Sequence, residues 1–365
     1  MKCIVSRLYL LALISKIQNV TASKPAIPIL ANVLLEAIDD ELILSATDLT
    51  VSMRAYVEAK VQEEGAITFP ARRFFQLIRE LSSPHIEIHT LSPEVGMVNA
   101  GTSHFKIQGM HKNEFPNLPN LSEGFHFALP APKFKELLSC VAFAAAHDDD
   151  RQVLNGVCIE IQENAMVFIS TDGKRLAKIK AQTILSPPEH VSYIIPIKAI
   201  DEMIRALAGE EGDVKITLLS DKIAIEIGAA TLISKLIAGK YPDVSGFIPE
   251  KKANPLLVHR EELMSLLRQV ILFTSEDSCA ARFTFTPGEL HLSAVSGQIG
   301  EGKANMPVNY GGEKLEIAFN PHYLLDILRH SKDESVQFTL TDSYNPGMIT
   351  DSTDAEFVIM PMRLD

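Results

Sequence analysis

Three segments of this chain align with one another without gaps, and that repeat limits the fold more than any other feature. They are Ile67-Thr-Phe-Pro-Ala-Arg-Arg-Phe-Phe-Gln-Leu-Ile-Arg79, Tyr193-Ile-Ile-Pro-Ile-Lys-Ala-Ile-Asp-Glu-Met-Ile-Arg205 and Ile317-Ala-Phe-Asn-Pro-His-Tyr-Leu-Leu-Asp-Ile-Leu-Arg329. Each reads as a strand, breaks at Pro or Asn-Pro, and continues with helical spacing, with Pro near the first turn. The apolar stripes are Phe74, Leu77, Ile78, then Ile200, Met203, Ile204, then Leu324, Ile327, Leu328. This i, i+3, i+4 spacing buries one helix face. A second trio also aligns: Leu10, Leu13, Ile14, Ile17 with Phe134, Leu137, Leu138, Val141 and with Leu263, Leu266, Leu267, Val270. Each repeat therefore carries two amphipathic helices, the first preceded by a short strand-like run.

Alternating segments fill the rest. Examples are Val33–Ile38, Glu41–Ala46, Val157–Ile161, Met166–Ser170, Val214–Leu219, Lys222–Ile227, Arg282–Thr286 and Glu289–Ala294. Many strands with two helices per repeat predict an α+β layout of antiparallel sheets with helices on one face. A repeat of well over 100 residues is too long for a solenoid unit and large enough for its own core. The Pro/Asn-rich connector Phe115–Ser122 and its counterpart Tyr241–Pro249 divide the chain into three domains, 1–120, 121–248 and 249–365.

Composition narrows the function. The chain has 365 residues and a formal net charge of −12, so it is no basic nucleic-acid coat protein, although local basic faces are still allowed. No apolar run approaches the ~18 residues of a membrane span. Lys2 and Arg7 ahead of Leu8–Ile14 imitate a signal peptide, but the run is short and no cleavage site follows, so an amphipathic helix is the preferred reading. Cys3, Cys140, Cys158 and Cys279 form no C-x-x-C pair, which fits a reducing cytosol and a cytoplasmic protein.

The polar face of the later helix repeats too. Arg79, Arg205 and Arg329 share one aligned position, with Arg72, Lys198 and His322 two turns earlier and Gln76, Glu202 and Asp326 between. One reading is a solvated face of mixed charge. The other is a set of cations aimed at a shared phosphate backbone, whose contacts need no base sequence.

At this point the chain resembles a known family, the bacterial DNA polymerase sliding clamps, the beta subunits of the replicative polymerase. The residues that carry the resemblance are Pro25–Leu30, Thr47–Leu49, Pro70–Phe75, Glu114–Leu118, Leu154–Gly156, Thr171–Ala177, Ser234–Leu236, Tyr241–Asp243, Leu340–Ser343 and Met360–Leu364. They run in order over nearly the whole chain. The resemblance implies three clamp-fold domains per subunit, and two subunits closed head to tail into a ring with helices lining the hole and sheets outside. It implies a non-catalytic processivity factor without cofactor or metal. The ring encircles double-stranded DNA and tethers the polymerase alpha subunit, the clamp loader, and other polymerases and repair proteins, with no membrane partner.

Residue by residue, the resemblance gives Lys24, Arg72, Arg79, His147, Lys198 and Arg205 as DNA-facing. Lys24 replaces an Arg common in the family, and Ile197 stands where many relatives have a second cation. A hydrophobic peptide pocket is implied at Arg151, Leu154, Thr171, Gly173, Lys174, Arg175, Leu176, Pro242, Phe247, Ser343, Val358, Met360, Pro361, Met362 and Arg363. Leu, Pro and Met supply an adaptable apolar slot, and Arg151 and Arg175 are expected to fix a peptide's polar groups. From the pattern alone, a C-terminal edge strand with a domain-junction core is the preferred reading, and the order of the family motifs reverses that preference. Lys174 replaces a common His, and Asp365 adds a residue after Leu364, so a cation and a terminal acid rim the slot. The implied subunit interface sets Arg73, Phe105 and Ile107 against Ile271, Leu272 and Glu301 of a second copy, with one acid in Gly297–Gly302 where relatives carry more, and so fewer ion pairs.

Two signals suggest enzymes instead. Gly297–Ala304 matches G-x-x-x-x-G-K and then fails, because Ala304 has no hydroxyl for magnesium. Asp148-Asp149-Asp150 suggests a DNA-processing enzyme of the metal-dependent nuclease type, the alternative function. A repair-specific clamp paralogue is a third possibility.

Overall fold

A computed structural model of the chain describes residues 1–22, 25–119, 124–183, 191–250, 255–275 and 279–363. The element order repeats three times. The first set is β1 (Lys2–Ser6), α1 (Arg7–Ile17), β2 (Asn32–Ile38), β3 (Glu41–Thr47), β4 (Val51–Glu63), β5 (Gly65–Pro70), α2 (Ala71–Glu80), β6 (His85–Ser92), β7 (Val95–Ala100) and β8 (Ser103–Gln108). The second is β9 (Phe125–Pro130), α3 (Ala131–Ala142), β10 (Gly156–Gln162), β11 (Ala165–Thr171), β12 (Arg175–Gln182), β13 (Val191–Pro196), α4 (Ile197–Ala206), β14 (Asp213–Leu218), β15 (Lys222–Ile227) and β16 (Ala230–Lys235). The third is β17 (Leu256–His259), α5 (Arg260–Ile271), β18 (Ala281–Thr286), β19 (Glu289–Ser296), β20 (Gly300–Pro307), β21 (Leu315–Phe319), α6 (Pro321–His330), β22 (Ser335–Thr339), β23 (Gly347–Thr350) and β24 (Ala355–Ile359).

The aligned segments fold as their spacing predicts. In α2, Phe74 and Ile78 are buried, and in α6 Leu324, Ile327 and Leu328 are. Removing such side chains from water stabilises by about 1.5–3 kcal/mol each. The proline plays two parts. Pro70 and Pro196 close the preceding strands, whereas Pro321 is the first residue of α6. Pro321 suits that place because its missing N–H needs no partner there, and the Asn320 side chain caps the helix by accepting the His322 N–H at 2.9 Å.

The described residues form two compact units, residues 1–135 with 198–236, and residues 136–197 with 237–365. The division runs through the second repeat because its two four-stranded sheets each join a different neighbour. In the first unit, β5-β2-β3-β4 continues through a β4–β16 pairing into β16-β15-β14-β9. The 13-residue β4 serves two neighbours on one side: Val51–Ala55 pair with β16, and Ala59–Glu63 pair with β1, which leads to β6, β7 and β8. In the second unit, β13-β10-β11-β12 continues through β12–β24 into β24-β23-β22-β17, and β20-β19-β18-β21 forms a sheet of its own. All these pairings are antiparallel. Among the described residues, β8 and β20 each have a strand neighbour on one side only. No described helix is long and apolar enough to cross a membrane.

Candidate functional site

The helix-face cations differ in what holds them. Arg72 is exposed and forms no ion pair with a described residue. Arg79 is exposed, pairs with Glu80 at 3.0 Å and lies over the Phe75 ring. Lys198 is bound inside its unit, where its ammonium pairs with Asp48 and donates to the Val20 carbonyl at 3.4 Å. Arg205 pairs with Glu202 one turn back. Here the structure corrects the sequence reading. Glu202 is 5% exposed and is no member of a solvated face. Burial pushes its carboxyl above the ordinary range, against the opposing pull of Arg205. His147 is an exposed residue of the second unit, and Lys24 lies outside the described residues.

The pocket residues all belong to the second unit, where the strand alternation sorts them. Leu176 lies opposite Val358 across the β12–β24 ladder. Both join a buried apolar cluster with Leu154, Val167, Ile169, Cys158, Met348, Tyr241 and Val244. Burial pushes the Cys158 thiol up to about 12, which makes it an inert part of the floor. Around this floor, Pro242 and Phe247 are exposed, Phe247 at 57% in the short turn Ser245–Phe247. Ser343, Met360, Pro361 and Met362 are half-buried, and Lys174 and Arg363 are exposed. Met360 donates its N–H to the Lys174 carbonyl at 2.9 Å, and Met362 donates to Ala318 at 2.8 Å. Leu364 and Asp365 lie outside the described residues.

One tight turn, Thr171–Arg175, forms the lip. The Thr171 hydroxyl accepts the Gly173 N–H at 3.0 Å and donates to the Arg175 carbonyl at 2.6 Å. Asp172 Oδ1 accepts the N–H groups of Lys174 and Arg175, both at 2.9 Å. Gly173 has φ +84°, where a side chain is strained, and a Cβ there would stand 3.3 Å from the Arg151 guanidinium. Arg151 is exposed and makes a two-bond fork to Asp149, 3.0 Å on each arm, which holds that carboxyl down at about 2.

Arg175 is held by partners that the sequence does not show. The period-2 alternation sends it to the face opposite Leu176. There it donates to Asp172 Oδ2 at 3.2 Å and Asp326 Oδ2 at 2.7 Å, between the rings of Tyr323 and Phe143. Sequence reasoning had also missed Val167, Cys158, Tyr241, Val244 and Met348 as cluster members. The alternation along β10 and β11 was the signal for the first two.

The remaining expectations fall on two strands with an open side and on two helices. Phe105 and Ile107 are on β8, and Arg73 is exposed on α2. Ile271 ends α5, Leu272 is 68% exposed, and Glu301 is on β20, paired with Lys303 on the same strand at 2.8 Å. The Gly297–Ala304 run is a hairpin entering β20, with no helix after it, so it cannot cradle a phosphate. No group of three or more His, Cys, Asp or Glu among the described residues is placed to hold a metal, and Asp149 of the acidic triplet is engaged by Arg151. Nothing here favours the nuclease alternative.

Comparison with known proteins covers the whole chain. Three family models match in succession: the DNA polymerase III beta subunit N-terminal domain at residues 1–119, its central domain at 128–243 and its C-terminal domain at 246–363. The beta sliding clamp of Chlamydia muridarum is 49% identical over 364 residues, covering 100% of this chain and 99% of the relative. That of Escherichia coli K12 is 33% identical over 368 residues, covering 100% of both. Among solved structures, the DNA polymerase sliding clamp of Pseudomonas aeruginosa superposes with a TM-score of 0.93 at 30% identity, covering 100% of both chains. The sliding clamp of Bartonella birtlesii bound to griselimycin gives 0.95 at 29%, again covering 100% of both.

Proposed function

The chain belongs to the DNA polymerase III beta-subunit family, the beta sliding clamps, and on that premise we propose how its own residues serve a clamp. It is a processivity factor of DNA replication, a non-catalytic subunit that tethers the polymerase to duplex DNA without reading sequence. A tether works through effective concentration, so the grip on DNA itself is weak, which reconciles a charge of −12 with a DNA role.

The observation that carries the ring is the sheet topology. Twice within the chain, the sheet of one repeat joins the next, at β4–β16 and at β12–β24. The same rule applied once more pairs β20 with a β8, and both strands have an open side. A second copy supplies the missing partners head to tail, and two such contacts close a ring. Arg73, Phe105 and Ile107 then meet Ile271, Leu272 and Glu301 of the other copy. Because Glu301 already has Lys303, that contact leans on its apolar residues.

Lys24, Arg72, Arg79, His147, Lys198 and Arg205 face the encircled duplex. Arg72 is the most available cation, and Arg79, Lys198 and Arg205 are partly neutralised by Glu80, Asp48 and Glu202. The apolar cluster of Leu154, Leu176 and Val358, rimmed by Phe247, Met360 and Met362, accepts short linear motifs. These come from the alpha subunit, the clamp loader, and other polymerases and repair proteins. The protein works in the cytoplasm, where these partners act.

Retention on DNA tests the ring. The protein is loaded onto nicked circular duplex with a bacterial clamp loader and ATP, and half of the isolated complex is linearised. Retention on circles with loss from linear ends is expected. Equal retention on both would mean ordinary affinity and defeat the topological reading.

A further inference from the structure

The lip of the peptide pocket is tied to helix α6 by a chain of charges. Asp172 Oδ2 accepts from Arg175 at 3.2 Å, Arg175 donates to Asp326 Oδ2 at 2.7 Å, and Asp326 Oδ1 accepts from Arg329 at 3.1 Å. Only 12% of the Arg175 side chain is exposed, and its guanidinium lies 4.4 Å from the Tyr323 ring centre and 5.4 Å from that of Phe143. A cation this enclosed depends on both carboxylates, since breaking one side of a buried ion pair leaves charge uncompensated. Its backbone is part of the lip, through the N–H held by Asp172 and the carbonyl held by Thr171.

The first unit shows what the turn does without this chain. Thr47–Val51 repeats the same bonds: Leu49 N–H to the Thr47 hydroxyl, Thr50 and Val51 N–H to Asp48 Oδ1, and the Thr47 hydroxyl to the Val51 carbonyl. Val51 stands in the place of Arg175, and Asp48 Oδ2 takes Lys198 of α4 directly. Both turns are thus pinned to the second helix of the following repeat. In the second unit the pin passes through Arg175, whose neighbours Lys174 and Leu176 provide the carbonyl that holds Met360 and part of the pocket floor.

We propose that Asp326, on helix α6 and outside the pocket, is a positioning residue for peptide binding, acting through Arg175 on the Thr171–Arg175 lip. The proposal rests on the reading of this cluster as a peptide pocket. Asp326 touches no ligand. It fixes the guanidinium, the guanidinium fixes Asp172, and Asp172 with the strand ladder fixes the Lys174 carbonyl against Met360. Its second partner, Arg329, is 53% exposed and contributes little to this.

The test uses the full-length protein and a fluorescein-labelled synthetic peptide carrying the clamp-binding motif of a replicative polymerase, read by anisotropy. Asp326→Asn is expected to weaken binding about tenfold, equivalent to ~1.4 kcal/mol. Asp326→Glu restores part of the loss, and Arg329→Ala stays within about twofold of wild type on the same scale. A 13C-methyl methionine spectrum gives a readout that general destabilisation does not move. In Asp326→Asn the Met360 and Met362 signals shift, and those of Met53 and Met97 in the first unit stay. Should Asp326→Asn not fold, Arg175→Lys serves the same test, because one ammonium cannot span both carboxylates. Wild-type binding with an unchanged Asp326→Asn affinity overturns the positioning role alone. Failure of the wild-type protein to bind the peptide overturns the pocket reading, and the positioning role with it.

Discussion

The Thr47–Val51 turn of the first unit and the Thr171–Arg175 turn of the second share their hydrogen bonds but differ in what surrounds them. Beside the second, Ile169, Leu176 and Cys158 join an extended apolar cluster with Tyr241. Beside the first, the matching positions are Ser45, Ser52 and Leu34, with Phe115 in place of Tyr241, and the apolar cluster is confined to Ile29, Leu30, Phe115 and a few flanking side chains. Ser52 directs its hydroxyl to Thr47 at 2.8 Å and leaves no apolar floor. The cations differ in parallel. Lys178 has Glu356 opposite it on the neighbouring strand, while the matching Arg54 faces Thr231. One backbone device, used twice, therefore yields an apolar cluster in one unit and a polar face in the other. The side chains that alternate along the strands decide which.

The largest expected effect comes from erasing that difference. Leu176→Ser gives the second unit the residue that Ser52 supplies in the first. Leu176 is 4% exposed, and large-to-small core changes cost about 2–5 kcal/mol. Chemical unfolding should show a loss in that range, and the peptide should lose at least about tenfold in affinity, since both the transfer and the cavity terms fall on its binding face. Unimpaired peptide binding by a folded Leu176→Ser protein would show that the apolar floor is not what separates the two junctions.

The helix pins come next. Asp48→Asn removes the partner of Lys198 while an amide oxygen still accepts the N–H groups of Thr50 and Val51. Lys198 is 42% exposed at its side chain, so solvent replaces much of the pair and the cost is about 1 kcal/mol. If Lys198 also faces DNA, Asp48→Asn strengthens duplex binding and Lys198→Ala weakens it, although both lose the same ion pair. Equal effects of the two variants in a low-salt DNA-binding assay would make Lys198 a structural cation only.

Glu202 sharpens the point with pH. Its carboxyl is held above the ordinary range by burial, so in the folded protein it takes up a proton more readily than in the unfolded chain. A carboxyl raised in this way costs stability above its folded pKa, and the cost is relieved as pH falls through that value. Glu202→Gln removes this cost. Measured between pH 7 and the carboxylate range, the variant should be no less stable at neutral pH and should lose its advantage on acidification. Arg205, 55% exposed, is then unpaired, and the slope of log affinity for duplex DNA against log salt should steepen by up to about 0.9. An unchanged slope would remove Arg205 from the DNA-facing set.

Much of this was legible from local periodicity. The stripe of Leu324, Ile327 and Leu328 needs only the 3.6-residue turn, and β3, β10 and β11 alternate or run apolar in plain view. β4 was not read as a 13-residue strand, because in its outer half only the small Ala59 is buried while Glu58, Lys60, Gln62 and Glu63 are exposed, yet it joins three neighbours. The burial of Glu202 and Arg175 was hidden for one reason: the sequence shows charge but not the partner that allows it to be buried. The apolar cluster was half legible. Leu154, Leu176 and Val358 stood out in the sequence, while Met348 and Val244 join them only through a strand ladder and a connector that bring distant residues to one face.

The smallest effect tests the floor of the pocket itself. Tyr241 is 7% exposed, burial raises the pKa of its phenol, and its hydroxyl makes no well-formed hydrogen bond among the described residues, with only the Thr171 backbone near enough to oppose that rise. A buried hydroxyl without a partner carries a desolvation cost, and replacing it with a shape-matched apolar group is close to neutral or stabilising. The first unit already has that replacement, since Phe115 holds the equivalent place against Ile29 and Leu30. Tyr241→Phe should therefore raise stability by no more than about 1 kcal/mol in chemical unfolding and leave peptide affinity unchanged. A loss above that size would mean the hydroxyl makes a bond in solution. Tyr241 would then mark a chemical difference between the two junctions, where now only its ring corresponds to Phe115.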